Sequence, residues 1–335
     1  MNINNLIPKY ISYLDSEKGF TKNTIRRYEY SLLKFINDTN INMVKQFNTI
    51  LINQEILHIF WESLNNNKQL SISARRNYIA AVKSFIKFLS IKKYIELDFS
   101  DSIVFPKPEK IFKDGFTKNE QILLREYLFN NLGKEKGNRN AALFFLLLGT
   151  ALRINEALNL KCQDNKIFNP DNPFKPHGSF ELFEGVIYAH IFGKGHKERK
   201  VPLDPIIIKY ISYYLKYREN KCGLVFTSIK NNRSSSNKLT NKGCNDILRS
   251  VLYNAGIQRK LTTHTFRHTW AVNQLHRSNA NSKQVISMMG ITEQTLEIYF
   301  KRDRNLIKDF AKDKSIFKDI PISKKQQQFE TILSF

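Results

Sequence analysis

Apolar residues recur at intervals of three and four along the first hundred residues, the spacing of one face of an α-helix. Two such stripes consist of Ile25, Tyr28, Leu32 and Phe35, and of Tyr78, Val82, Phe85 and Leu89. Thr21 precedes the first stripe, and threonine is a frequent cap of helix N-termini. No Gly or Pro interrupts the second stripe, so the pattern predicts a long, regular helix there.

The second of these helices carries cations on roughly the side opposite its apolar stripe, at Arg76, Lys83 and Lys87. Two interpretations are open. The helix is an ordinary amphipathic helix with a solvated basic face, or it presents these cations to the phosphates of a nucleic acid.

A change in composition near residue 100 predicts a boundary between two domains at about 105–115. Pro106 and Pro108 stand among charged residues there, and proline disfavours helix in the residue before it. We therefore predict a helical domain over residues 1–105, a linker over 106–115 and a second domain over 116–335, whose C-terminal tail covers 300–335. Thr117 is the candidate cap of the first helix after the linker.

The second domain contains one segment whose apolar pattern has a period of two. Residues 186–192 alternate, Gly193, Lys194 and Gly195 interrupt them, and an apolar run resumes at Val201. This pattern predicts a small antiparallel hairpin in a largely helical domain. The apolar run over residues 141–152 is too short to cross a bilayer and predicts a buried helix instead.

Charge and composition narrow the partners of this chain. The 335 residues include 53 Lys and Arg against 30 Asp and Glu, a formal net charge of +23. Residues 1–100 hold 14 basic and 8 acidic side chains, so the excess is +6 there and +17 in the remainder. A positive excess spread over both predicted domains indicates a polyanionic partner. The N-terminus lacks a signal-peptide core and the three cysteines form no CxxC pair, so we expect a cytoplasmic protein without a membrane partner.

Two sets of polar residues in the second domain are candidates for chemistry. Arg153 and Glu156 follow the long apolar run and are three residues apart, which suits either a helix-surface ion pair or charged groups that reach a ligand. Lys194, between two glycines at the predicted hairpin tip, can move toward a phosphate or a leaving oxygen. The alternative is a solvated basic turn. The segment lacks the GxxxxGK[ST] pattern, so it is not a P-loop.

Two further candidates lie near the end of the chain. His264 and Arg267 are three residues apart at a predicted helix start, with Thr263 as the predicted cap. A helix N-terminus favours an anion, the arginine offers a fork of donors, and the histidine exchanges a proton near neutral pH. A capped surface helix is the alternative. Tyr299, taken alone, reads as a packing residue.

The order and spacing of these residues closely resemble the tyrosine recombinase, or phage integrase, family and its Xer-like members. TALRINEALNL is similar to the first arginine box of that family, GKGHKERKVPL to its lysine hairpin and THTFRHTWA to its second box. The resemblance covers nearly the whole chain. It implies a mainly α fold of two domains, a helical SAM-like core-binding domain and an integrase-type catalytic domain with a small antiparallel sheet.

The resemblance also implies an activity. A site-specific DNA recombinase of this kind cleaves and rejoins DNA through a 3′-phosphotyrosine intermediate and a Holliday junction, with no cofactor, ATP or metal. By the resemblance, the nucleophile is Tyr299, the general acid for the leaving oxygen is Lys194, and the clamp on the scissile phosphate consists of Arg153 and Arg267. His264 would assist proton transfer or hold the phosphate, and Glu156 would orient Arg153 or His264.

The chain departs from the family pattern in one place. Where the family has Leu-Gly-His, or Trp for the His, this chain has Met289, Gly290 and Ile291. Matching by motif puts Ile291 at the histidine position, and matching by count puts Gly290 there. Neither side chain donates a hydrogen bond, so the donor is absent, replaced from elsewhere, or supplied by a water or a backbone N–H.

The partners implied by the resemblance are double-stranded DNA and further copies of the chain. We expect a homotetramer on synapsed DNA, with the need for a second recombinase or an accessory protein left open. The tail over 300–335 either exchanges into a neighbouring protomer or packs on its own domain. Two alternative functions remain: a cleavage-deficient DNA-binding relative, and strand cleavage of the type IB topoisomerase kind.

Overall fold

The computed structural model describes residues 3–39, 54–103, 105–107, 115–167, 178–193, 198–219, 222–229, 238–275 and 281–300. The chain separates into two compact units, Met1–Ile111 and Phe112–Phe335. The predicted boundaries at 105, 106–115 and 116 stay a prediction, since residues 108–114 lie outside the described part of the chain.

The first unit is a set of helices around one apolar core. Its described helices are α1 (Ile3–Ser16), α2 (Lys22–Asp38), α3 (Gln54–Asn66) and α4 (Ile72–Ile91), followed by a 3₁₀ turn at Ser100–Ser102. Most of both predicted stripes is buried, and Leu32, Phe35 and Phe85 are at most 1% exposed. The Thr21 hydroxyl accepts a hydrogen bond from the Thr24 N–H, so the predicted cap of α2 is confirmed.

The cations of α4 make contacts within this unit. Lys83 Nζ lies 2.9 Å from the Asp101 carboxylate, and Arg76 donates to the Pro106 carbonyl. Both cations lie over the Phe105 ring, at 5.2 Å for Arg76 and 5.9 Å for Lys83, whereas Lys87 is exposed. These bonds agree with the amphipathic-helix interpretation, and DNA contact by the three cations stays a prediction.

The second unit is larger and also mainly helical. Its described elements are α5 (Lys118–Asn130), α6 (Glu135–Thr150), α7 (Ile154–Leu158), β1 (Phe180–Phe183), β2 (Val186–Phe192), β3 (Glu198–Pro202), α8 (Pro205–Tyr217), α9 (Asn241–Asn254), α10 (Thr263–Leu275), α11 (Ser282–Met289) and α12 (Glu293–Phe300). Thr117 and Glu120 form a reciprocal capping box at the start of α5, which confirms the predicted cap.

The sheet has the order β1-β2-β3 and is antiparallel throughout. Phe180, Ala189 and Val201 lie side by side across the strands and are nearly inaccessible, so one face of the sheet packs on the core. The predicted hairpin is confirmed as β2 and β3. Strand β1 was not predicted, because its four residues are too few to show a clear alternation.

Helix α6 is buried in the core of this unit, as the apolar run over 141–152 predicted. Phe145 stacks on Tyr210 of α8 at 4.5 Å between ring centroids, and Phe144 stacks on Phe266 of α10 at 5.4 Å. These contacts pack α8 and α10 against α6, and Arg153 follows shortly after the end of α6. Among the described helices, none has the length and apolar character needed to cross a membrane.

Candidate active site

Arg153 and Glu156 form the first pair of the site. Arg153 directly precedes α7, and its backbone N–H donates to Glu156 Oε2 at 2.8 Å. Its guanidinium Nη1 donates to Glu156 Oε1 at 3.0 Å. The Glu156 side chain is 6% exposed, whereas that of Arg153 is 40% exposed. The carboxylate therefore holds one edge of the guanidinium while another part of Arg153 faces solvent.

Arg199 of β3 completes this pair from a distant part of the chain. Its Nη1 and Nη2 donate to the two oxygens of Glu156 at 3.1 and 2.7 Å, the parallel geometry that arginine and carboxylate prefer. Burial by itself would raise the pKa of the Glu156 carboxyl, but the hydrogen bonds and charges of Arg199 and Arg153 lower that pKa below its ordinary value. Glu156 is therefore a buried, ionised carboxylate between two cations.

Sequence reasoning missed Arg199, although a signal was present. Arg199 and Val201 are two residues apart in β3, so their side chains share one face of the strand. Val201 belongs to the buried face of the sheet, whereas Glu198 and Lys200 are exposed. The period of two thus turns Arg199 toward the interior, where a charged group needs a partner.

The C-terminal end of α11 accepts hydrogen bonds from three arginines. Arg199 Nε donates to the Met288 carbonyl at 2.8 Å, Arg267 Nη2 to the Met289 carbonyl at 2.5 Å, and Arg153 Nη2 to the Gly290 carbonyl at 3.4 Å. The last carbonyls of a helix lack partners within the helix and carry its partial negative charge. Three successive carbonyls therefore gather three guanidinium groups from separate segments.

Arg267 is held more deeply than Arg153. It lies on α10, is 5% exposed and also donates through Nη1 to the Ala151 carbonyl at 2.6 Å. Trp270, on the next part of α10, donates to the Gly149 carbonyl at 2.9 Å, so two bonds tie α10 to the end of α6. The three arginines and Glu156 together carry two net positive charges, which suits an anionic ligand.

His264 lies in the first turn of α10, three residues before Arg267, and is exposed. The expectation that Thr263 caps this helix is wrong by one residue. Thr263 is the first helical residue, and the Thr265 N–H donates to the carbonyl of Thr262 at 2.8 Å. Both threonines are cap-type residues, so sequence alone did not separate the two positions.

Lys194 lies outside the described residues, as does the segment 301–335 that makes up nearly all of the predicted tail. Tyr299 belongs to α12, and only its backbone is described. One turn earlier, Leu296 is buried in a cluster with Trp270 and Met289, which brings α12 against α10 and α11. The roles of Lys194, His264 and Tyr299 stay predictions.

Gly290 and Ile291, where the chain departs from the family pattern, form the turn after α11. Gly290 ends α11 with a φ of +59°, a conformation that other residues adopt only with strain. The N–H groups of Gly290 and Ile291 both donate to the Ile286 carbonyl, at 2.8 and 3.3 Å. The Ile291 side chain packs on the cluster of Trp270 and Met289. These two backbone N–H groups are thus already used by the end of the helix, so they are poor substitutes for the missing donor.

Within the part of the chain that the structure describes, there is no group of three or more His, Cys, Asp or Glu side chains that could hold a metal ion. The residues that the structure does bring together are Arg153, Glu156, Arg199 and Arg267.

Comparisons with known proteins cover both units. The model of the phage integrase family matches residues 124–305, and that of the phage integrase N-terminal SAM-like domain matches residues 7–93. Tyrosine recombinase XerD of Staphylococcus epidermidis is 28% identical over 299 residues, which are 89% of this chain and 94% of the relative. Its counterpart in Staphylococcus haemolyticus is 27% identical over 305 residues, 88% of this chain and 92% of the relative.

Solved structures share the fold. XerH site-specific recombinase bound to palindromic difH substrate, in a post-cleavage complex, has a TM-score of 0.61 and 22% identity over 86% of this chain and 78% of that one. A lambda integrase tetramer bound to a Holliday junction has a TM-score of 0.65 and 10% identity over 96% of this chain and 81% of the other. At these identities the likeness shows the architecture of two domains, one SAM-like and one of the integrase type, as predicted.

Proposed function

We propose a reaction for this chain from the premise that it belongs to the phage integrase family and is a tyrosine recombinase. Site-specific recombination is the activity of that family. The finer proposal is that Tyr299 attacks a DNA phosphodiester, so that a 3′-phosphotyrosine forms, the bond to the 5′ oxygen breaks, and a 5′-hydroxyl leaves. Attack by that hydroxyl, or by its counterpart in a second duplex, reverses the step and rejoins the strand.

The observation that carries the proposal is the meeting of Arg153 and Arg267 at one turn. They come from separate segments and donate to the adjacent carbonyls of Met289 and Gly290. In the transition state of phosphoryl transfer, negative charge builds on the non-bridging oxygens. Two preorganised guanidinium groups stabilise that charge without rearranging. The partly exposed Arg153 meets the phosphate from the solvent side, and the buried Arg267 supplies a fixed positive charge behind it.

The remaining roles follow from the chemistry of each side chain. Lys194 donates a proton to the leaving 5′ oxygen, because the sequence predicts this ammonium group between two glycines at a hairpin tip, from which it can approach that oxygen. His264 accepts the Tyr299 proton or holds the phosphate, since imidazole exchanges protons near neutral pH. Glu156 orients Arg153. The phosphodiester bond energy is kept in the covalent link, so the proposed cycle consumes no ATP.

The proposed partners are duplex DNA and other copies of this chain. A formal net charge of +23 supports binding to a polyanion. The similar XerH and lambda integrase structures contain DNA, and one of them is a tetramer on a Holliday junction. We therefore propose a homotetramer on two synapsed duplexes. Exchange of the tail over 300–335 between protomers and a cytoplasmic location belong to the same proposal.

A nicked suicide substrate tests the proposal directly. On DNA that carries a cognate core site, wild-type protein is expected to form an SDS-resistant protein–DNA adduct, and Tyr299→Phe is expected to form none. An adduct that persists in Tyr299→Phe would show that another residue is the nucleophile. DNA binding without any adduct on a site that the protein binds tightly would favour the cleavage-deficient alternative.

A further inference from the structure

We propose that Arg199 is a positioning residue for the cleavage reaction, which holds Arg153 and the end of α11 in place through Glu156 and the Met288 carbonyl. This inference rests on the proposed function, because Arg153 is the group that Arg199 would position against the phosphate.

Arg199 connects three elements with one side chain. Its Nη1 and Nη2 contact both oxygens of Glu156 in α7, and its Nε contacts the Met288 carbonyl at the end of α11. Arg199 itself belongs to β3, the strand that follows the segment containing Lys194. All three nitrogen positions of the guanidinium are thus engaged, and the side chain is only 9% exposed.

The same contacts decide where Arg153 can point. Glu156 receives the Arg153 backbone N–H on Oε2 and the Arg153 Nη1 on Oε1, while Arg199 donates to both oxygens. With Arg199 present, the carboxylate is shared between two cations. Without Arg199, Arg153 is the one remaining cationic partner of the buried Glu156 carboxylate among these groups. Because charge-assisted hydrogen bonds are strong, Arg153 would then bond both oxygens of Glu156 through two of its guanidinium nitrogens. This bidentate pair would draw the Arg153 guanidinium away from the phosphate.

A second observation ties Arg199 to the turn that bears the acceptor carbonyls. A Cβ on Gly290 would lie 3.3 Å from Arg199 Nη1 and 3.5 Å from its Cδ and Cζ. The backbone of Gly290 therefore lies directly against the guanidinium. Loss of Arg199 would remove both the bond to Met288 and the surface on which this turn packs.

The Arg199 side chain is only 9% exposed and its three nitrogens are bonded within the protein, so we expect its effect to fall on the rate of cleavage in the bound complex and not on DNA binding. Wild type, Arg199→Met and Arg199→Lys are compared by DNA affinity, thermal unfolding and single-turnover adduct formation at saturating protein. For Arg199→Met we expect a rate about 10- to 100-fold lower, since misplacing a catalytic group by about an ångström costs this much. DNA affinity should change by less than about threefold, because few phosphate contacts are altered.

Arg218→Met is the matched control for loss of a buried arginine. Arg218 is 3% exposed and donates to the carbonyls of Leu224 and Val225 and to Asn165, away from Glu156. This variant should lower the unfolding temperature but keep the wild-type cleavage rate at a temperature where it is folded. If Arg218→Met slows cleavage as much as Arg199→Met, the effect is one of general stability and the positioning role is wrong.

Two further variants keep the test decisive. Arg199→Lys retains a cation beside Glu156 and should fold even where Arg199→Met does not, with a rate between those of Arg199→Met and wild type. In the double variant Arg199→Met/Glu156→Gln, the fold losses in cleavage rate of the two single variants should not multiply, because both substitutions act through the same orientation of Arg153. Multiplying losses, or a wild-type rate in both Arg199 variants, would overturn the proposal. Absence of an adduct in wild type would instead overturn the proposed function, and with it the premise of this inference.

Discussion

Two groups of arginines in the second unit are bonded in different ways. Arg218 is 3% exposed and donates to neutral acceptors, including the Val225 carbonyl at 3.0 Å and Asn165 Oδ1 at 3.0 Å. At the end of α11, Arg153 and Arg199 share the ionised carboxylate of Glu156, and 40% of the Arg153 side chain remains exposed. The cation of Arg218 is therefore enclosed, whereas the cation of Arg153 is held in place with part of its side chain exposed.

The difference separates a structural arginine from one suited to a ligand. The neutral acceptors of Arg218 satisfy its guanidinium but do not cancel its charge, and this side chain ties Leu224 and Val225 to α8. A carboxylate and helix-end carbonyls fix the orientation of a guanidinium, and three arginines to one carboxylate leave positive charge in excess. Excess charge at an exposed edge is what a phosphate requires.

The largest expected effect tests this contrast with one substitution made in both groups. Arg153→Lys should reduce the rate of adduct formation by about 100- to 1,000-fold, because lysine lacks the planar set of N–H donors that can bond Glu156 and an oxyanion at once. Single-turnover cleavage of the nicked substrate measures this rate.

Arg218→Lys is the control for that experiment. It should cleave within about threefold of wild type when compared at a temperature where both proteins are folded. A similar loss of rate in both variants would remove the distinction between the two groups of arginines.

A smaller effect is expected at the turn that the arginines share. Gly290→Ala places a Cβ at a φ of +59° and 3.3 Å from Arg199 Nη1. We expect a loss of about 1 kcal/mol in the free energy of unfolding, together with a loss of about tenfold in cleavage rate. Urea unfolding and the adduct assay measure the two quantities.

Gly256→Ala is the matched control, since Gly256 has a φ of +77° and nothing within 4 Å of an added Cβ. It should lose a similar free energy of unfolding and keep its cleavage rate. Equal rates in the two variants would mean that the turn at Gly290 does not position the arginines.

The smallest expected effect concerns pH. The pKa of Glu156 is lowered in the folded protein, so its ionised form stabilises the folded state at pH values above the ordinary pKa of glutamate. This contribution is lost as the pH falls through the lowered pKa. The difference in unfolding free energy between wild type and Glu156→Gln should therefore shrink as the pH falls from about 6 to about 3. Glu126→Gln, at an exposed position of α5, should show no comparable trend. A difference that stays constant with pH would contradict the ionised pair.

Much of this fold could be predicted from local patterns. The apolar stripes of α2 and α4, the caps Thr21 and Thr117, and the buried α6 all depend on residues within a few positions of each other. Strand β1 was missed because its pairing with β2, and not its own short sequence, makes it a strand. The start of α10 was misplaced because adjacent threonines are equally suited to cap it.

The candidate site divides in the same way. The contact between Arg153 and Glu156 was within reach of sequence reasoning, because residues three apart meet at a helix start. The order of Arg153, Lys194, His264, Arg267 and Tyr299 was enough to indicate the family and its chemistry.

By itself, then, the sequence determined the helices, the family and the identity of the candidate catalytic residues, since these depend on short-range periodicity and on residue order. Only the tertiary structure decided that Arg199 meets Glu156 and that Arg267 meets Ala151 and Met289. These bonds join segments that are far apart along the chain. The alternation of β3 could turn Arg199 inward but could not identify Glu156 as its partner. The acceptors of Arg267 are backbone carbonyls, which every residue carries, so no side-chain pattern marks them in advance.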